Sequence, residues 1–148
     1  MQKILIIYGS KRGKTRAMAE LLEKKLKEGG HDVFLKNVYS ARPEELLDYD
    51  LVLLGCSTWN DGDLEVDFID FERKMDDYDL SGKSFAVFGP GSSRYRYFCE
   101  AVEILESRIK INGGSLLIPS LKTDELENQV FEETETWGSI ILEKLKNQ

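Results

Sequence analysis

The chain has little of the chemistry that holds metals. One histidine, His31, and two cysteines, Cys56 and Cys99, stand far apart in its 148 residues. They form no cluster at ligand spacing, which argues against a zinc or iron–sulfur site. Each cysteine falls where an apolar segment meets a polar loop, the setting of a buried free thiol rather than of a disulfide framework. His31 follows the turn signal Gly29-Gly30 and reads as a surface residue. Long hydrophobic runs are missing too: no apolar stretch approaches the roughly 20 residues needed to span a bilayer. No leader-like segment precedes the first strand-like run, so a cytoplasmic location with no membrane association is expected. Repeats, linkers and low-complexity tracts are absent, and a single domain over residues 1–148 follows as the expectation.

Positive charge is scarce after residue 40. Residues 1–40 carry nine Lys/Arg against four Asp/Glu, and residues 41–148 carry eleven against twenty-three, giving a net charge of −7. The acidic excess is densest from Asp61 to Asp79. Such a surface argues against nucleic acid as a partner and would steer basic partners by long-range attraction, or serve simply for solubility.

What is present is organised around Ile4 to Thr15, ILIIYGSKRGKT. Ile4-Leu5-Ile6-Ile7 is the apolar, β-branched run of a strand buried on both faces. A polar loop between Gly9 and Gly13 follows. At Thr15 a helical pattern begins, with Met18, Leu21, Leu22 and Leu26 on one face. A strand, a glycine-containing loop and a helix start together make an anion cradle, because loop N–H groups and the helix N-terminus converge on one spot. The loop has three residues between its glycines where a nucleotide triphosphate P-loop has four. Lys11 stands where a dinucleotide fingerprint needs its second glycine. A single phosphate monoester fits better, and a strand–helix turn that binds nothing is the alternative.

Further along, strands are predicted at Asp32–Lys36, Leu51–Cys56, Lys83–Phe88 and Leu116–Ile118. Helices are predicted over about Leu64–Met75, Tyr97–Ile111 and from Leu126 through Leu145, with a helical turn opening at Pro43. Strands alternating with helices predict an α/β three-layer sandwich with a parallel sheet. In such sheets ligands bind beyond the carboxyl ends of the strands, where strand order reverses. The loops after strands one, three and four should therefore meet: Ser10–Thr15, Ser57–Gly62 and Pro90–Cys99. The last two each hold an aromatic, Trp59 and Tyr95, in a polar setting. Either alone also fits core packing. Two together at strand ends suit the faces of a flat ring, and a ring plus one phosphate describes a mononucleotide.

The segments YGSKRGKT, LVLLGCSTWNDG and FGPGSSRYRYFCEAV, beginning at Tyr8, Leu51 and Phe88, resemble those of short-chain flavodoxins, in the same order and spacing across essentially the whole chain. The resemblance implies a five-stranded parallel sheet in order 2-1-3-4-5, non-covalently bound FMN, and low-potential one-electron transfer between redox enzymes rather than catalysis. It implies that Ser10, Gly13 and Thr15, with the backbone of Lys11, Arg12 and Lys14, hold the phosphate. Ser57 and Thr58 would meet the ribityl chain or ring edge, and Trp59 and Tyr95 would sandwich the ring. Asn60 and Asp61 would border it, and Pro90, Gly91, Ser92, Tyr97, Phe98 and Cys99 would line its pyrimidine end. Redox proteins would dock a basic face on the acidic FMN-side surface of a monomer. Three departures from the family pattern stand out: the cations Lys11, Arg12 and Lys14 in the phosphate loop, Asn60 in place of a glycine, and Ser92, Arg94 and Arg96 in a region usually acidic or neutral. Other readings on the same scaffold are an FMN-dependent quinone or flavin reductase and a flavin-free regulatory binding module.

Overall fold

The computed structural model describes residues 1–59 and 62–148. Its sheet begins with β1 (Lys3–Gly9), whose alternate side chains feed two separate cores. Leu5 and Ile7 enter one core, and Ile4, Ile6 and Tyr8 enter the other, which is why this strand needs apolar residues at consecutive positions. The same alternation sends Val52 and Leu54 of β3 (Leu51–Cys56) to the first core and Leu51 and Leu53 to the second.

Helix α1 (Lys14–Glu28) lays Met18, Ala19, Leu22 and Leu26 on the second core. The C-terminal α4 (Val130–Lys146) joins it there with Trp137, Ile141 and Leu145. On the other face α2 (Val66–Lys74) contributes Phe68 and Phe71, and α3 (Glu100–Ile111) contributes Ala101, Val102, Leu105 and Ile109. Arg108 of α3 ties the two helices together, its Nε 2.5 Å from Glu72 and its guanidinium 2.7 Å from Asp76.

With β2 (Asp32–Asn37) and β6 (Ser84–Gly91), the sheet runs β2-β1-β3-β6 and ends on a fifth position, all parallel. The expected order 2-1-3-4-5 is therefore the observed one. The fifth position differs in detail from the predicted Leu116–Ile118. It is two pieces, β7 (Ser115–Leu116) beside Ser84-Phe85 and β8 (Leu121–Asp124) beside Phe88–Gly91. Pro119 lies in the break, where its missing N–H forfeits nothing, and its carbonyl accepts the indole N–H of Trp137 at 3.0 Å. The second piece carries the chain to the same end of the sheet as the loops after β1 and β3.

Two further differences matter for the site. After β3 the chain makes a short antiparallel hairpin, β4 (Thr58–Trp59) against β5 (Asp63–Leu64), where the sequence predicts only a loop and a helix start. Helix α3 begins at Glu100 rather than Tyr97, because Cys99 is left-handed with φ 51°. That conformation ends the loop from β6 in a sharp turn and holds Cys99 under the crevice.

Candidate functional site

The loops after β1, β3, β6 and β8 enclose a cavity of about 260 Å³ at the carboxyl end of the sheet. Ser10, Lys11, Arg12, Lys14 and Thr15 form one end, Ser57, Thr58 and Trp59 one wall, and Pro90 to Ser92 with Tyr95, Tyr97 and Cys99 the other.

At the first end, Gly13 adopts φ 95° and caps α1 without a side-chain hydrogen bond. An added Cβ there would touch nothing, so the backbone conformation, not space, calls for glycine. Its N–H donates to the Ser10 hydroxyl at 3.0 Å, which folds the loop onto itself. The first turn of α1 has no acidic residue. Thr15 is 1% exposed and its hydroxyl has no hydrogen-bond partner among the described residues. A buried hydroxyl at the cavity wall beside a helix N-terminus is an open position for an anion's oxygen.

The wall from β3 is built by the hairpin. The Trp59 indole N–H donates to the Ser57 hydroxyl at 2.6 Å, and the Thr58 hydroxyl accepts the Ala101 N–H of α3 at 2.9 Å. These two bonds fix the half-buried Trp59 ring against the rest of the site. Two of the three cations of the first loop reach it: Lys11 Nζ lies 5.1 Å and Arg12 Cζ 5.0 Å from the ring centre. Lys14 instead lies 5.5 Å over the ring of Phe131 on α4.

On the facing wall, Tyr95 is 66% exposed, its N–H bonded to the Ser92 carbonyl at 3.0 Å. Cys99 is buried, its thiol pushed up to about 12 by burial, with Sγ against the carbonyls of Gly89 and Thr123. Burial also pushes the Cys56 thiol up. Neither is a ready nucleophile. The Asp124 carboxylate accepts the Ser93 and Leu126 N–H groups at 3.1 and 3.0 Å, and the Ser93 side chain together with these N–H groups holds it below the usual carboxylate range.

The structure thus brings Ser10, Lys11, Arg12, Lys14, Thr15, Ser57, Thr58, Trp59, Pro90, Gly91, Ser92, Tyr95, Tyr97 and Cys99 to one cavity. Gly13 shapes it from behind. Phe98 does not reach it and packs, half-buried, against the core under α3. Asn60 and Asp61 lie outside the described residues. Glu125 lines the cavity without having been singled out in the sequence, its N–H donating to the Gly91 carbonyl at 2.7 Å. Among the described residues no group of three or more His, Cys, Asp and Glu could hold a metal ion, and no helix is long and apolar enough to cross a membrane.

The family model described as Flavodoxin matches residues 6–137. Probable flavodoxin 2 of Bacillus subtilis is 43% identical over 125 residues, covering 84% of this chain and 83% of that protein. The flavodoxin of Maridesulfovibrio salexigens is 39% identical over 148 residues, covering 98% of this chain and 100% of that one. The crystal structure of oxidised Flavodoxin 2 from Bacillus cereus superposes with a TM-score of 0.90 at 38% identity, over 96% of this chain and 99% of that one. With the three motif-bearing loops gathered at one sheet end and relatives matched along nearly its full length, the chain belongs to the flavodoxin family.

Proposed function

We propose that this protein carries single electrons between redox proteins on non-covalently bound FMN, with residues 1–148 acting as one FMN-binding domain. The observation that carries the reading is the unpartnered, buried Thr15 hydroxyl at the N-terminus of α1, inside a cavity shared with Trp59 and Tyr95. The residues fit the cofactor. Thr15 and Ser10 have hydroxyls for phosphate oxygens, the N–H groups opening α1 add their partial positive charge, and Lys11, Arg12 and Lys14 neutralise a dianion. Trp59 and Tyr95 offer aromatic faces from opposite walls. The loop from Pro90 to Cys99 offers backbone groups to a ring edge. Ser57, Thr58, Asn60, Asp61, Gly91, Ser92 and Tyr97 complete the proposed set, from which Phe98 drops out and to which Glu125 is added.

When bound, FMN supplies an isoalloxazine that accepts and gives up electrons one at a time. The chain's own part is to hold that ring and exclude water from it. Trp59 is locked by its bond to Ser57, and the hairpin by the bond from Ala101 to Thr58, so the wall is preorganised. Burial of Cys99 beneath the ring site keeps its thiol protonated and out of the chemistry.

Redox proteins with a basic face dock on the acidic surface beside the crevice, where Asp63, Asp67 and Asp70 are exposed. The protein works as a cytoplasmic monomer. A carrier is favoured over a reductase because the relatives matched over nearly their whole length are named flavodoxins, which leaves no insertion in this chain to build a nicotinamide pocket.

FMN titration of the purified protein tests the binding step. Trp59 fluorescence should be quenched with one FMN bound per chain, and Trp59→Phe should abolish most of the quenching while Trp137, in the far core, still fluoresces. A protein that leaves FMN fluorescence unchanged would overturn the reading.

A further inference from the structure

Glu65 is the residue that the proposed function leaves unexplained. It is 2% exposed, a carboxylate inside the protein beside the cofactor cavity but not in its lining. Its position joins the two loops that grip the cofactor. The Glu65 N–H points at the Ser57 carbonyl at 3.2 Å and the Cys56 Sγ at 3.4 Å, which closes the base of the Trp59 hairpin. Its Oε2 accepts the Asp67 N–H at 3.1 Å and so caps α2. The same oxygen lies over Gly9, where β1 gives way to the phosphate loop. A Cβ on Gly9 would come within 2.8 Å of it and 2.7 Å of the Phe68 ring. Glycine at that position therefore makes room for the carboxylate.

The capping role alone does not require a charge. Glutamine could accept the same N–H with its side-chain oxygen. A carboxylate in this place costs desolvation, and the neighbours only partly offset it. Facing it are Asp67 on its own helix, Lys11 from the phosphate loop and the Cys56 thiol from β3. The remaining packed elements, β1 and the turn Val38–Ser40, present Gly9 and Val38, which carry no charge. Burial and Asp67 push the Glu65 carboxyl up, while the Asp67 N–H and the Lys11 ammonium pull it down. Burial wins and the carboxyl is raised, with Lys11, a group of the cofactor site, among those that oppose it. Lys11 is the link, because the same ammonium lies over Trp59.

We propose that Glu65 is a positioning residue whose protonation is linked to negative charge in the crevice, so that the two loops close most tightly on FMN when Glu65 carries a proton. The inference rests on FMN as the ligand. A phosphate dianion in the loop repels an ionised Glu65 directly and draws on the same Lys11 charge that stabilises it. Both effects favour the protonated form, so binding takes up a proton from solvent at Glu65 and by linkage a proton at Glu65 strengthens binding.

The test compares FMN dissociation constants of the wild type and Glu65→Gln over a pH series that starts in the ordinary glutamate range and runs upward from it, the direction in which burial moves this carboxyl. The phosphate of FMN titrates identically in both, so the ratio of the two constants isolates Glu65. The wild type is expected to bind several-fold more weakly than Glu65→Gln at the upper end and equally at the lower end. In Lys11→Gln the wild-type-like loss of affinity should begin at higher pH, since the cation that holds Glu65 ionised is gone. A ratio that does not change with pH would overturn the proposal, because a purely structural role shifts affinity by one constant factor. Should Glu65→Gln not fold, the infrared carboxylic-acid band of the wild type is read instead. FMN must raise the pH at which that band disappears, and an unmoved band contradicts the linkage. Failure of the wild type to bind FMN would strike at the cofactor reading, whereas a folded Glu65→Gln that does not bind FMN while the wild type does would overturn the proposal.

Discussion

A threonine hydroxyl buried to 1% exposure with no partner destabilises a fold unless something else compensates. On the proposed function, the compensation at Thr15 comes from the cofactor's phosphate. Thr15→Val keeps the shape and removes the hydroxyl, so the FMN-free protein should unfold at the same denaturant concentration or a higher one. FMN affinity should fall by about tenfold or more, since a hydrogen bond to a charged group is worth roughly 1.5–3 kcal/mol. Parallel urea unfolding and FMN titration check both halves. Loss of stability without loss of affinity would make Thr15 structural. Glu65 has the opposite balance. Burial raises its carboxyl, so the folded state holds the proton more strongly than the unfolded state does. Stability from this group is thus present at acidic pH and declines as pH rises from the ordinary glutamate range through the raised folded value. Thermal melts of ligand-free wild type and Glu65→Gln should therefore diverge with rising pH, the variant becoming the more stable. Gly89 in β6 is a third case, set by space alone. A Cβ there would stand 2.2 Å from the backbone carbonyl of Cys56, which cannot move aside. Gly89→Ala should cost about 1–3 kcal/mol in urea unfolding.

The elements that the sequence made legible are those whose physics is local. β1 and β3 are consecutive apolar residues, and α1 repeats its apolar residues at helical spacing from Met18 to Leu26. Their order fixes a parallel sheet, and the parallel sheet fixes which loops meet, so most of the cavity follows from three segments. What escaped depends on pairing. β8 is Leu-Lys-Thr-Asp, too polar to announce a strand, and it is one only because β6 is alongside and Pro119 has ended β7. Missing β8 meant missing Glu125 directly beyond it. The two-residue strands of the Trp59 hairpin have no periodicity to detect, and Glu65, placed inside a predicted helix, gave no sign of capping one. At the helix N-terminus the cations have a measurable consequence. Without ligand, Lys14 beside the positive end of α1 is unfavourable, and with a dianion it becomes favourable. FMN affinity should thus fall with added salt more steeply in the wild type than in Lys11→Thr/Arg12→Thr/Lys14→Asn, and equal slopes would remove these charges from the site.

Across the whole molecule, charge is sorted by task. The phosphate loop gathers Lys11, Arg12 and Lys14 within a protein of net charge −7, leaving the rest of the surface acidic. On the proposed function, such an object would attract a basic redox partner from a distance while keeping a cationic pocket for its own anionic cofactor. Electron transfer to a basic partner should slow as ionic strength rises, and transfer to an acidic one should not. The central claim is narrower: the fold holds FMN so that electrons pass singly. Spectroelectrochemical titration of the FMN-loaded protein measures that most directly. The account predicts two resolved one-electron steps at distinct potentials, both lower in sum than for FMN free in solution. One unresolved two-electron wave at the potential of free FMN would contradict it.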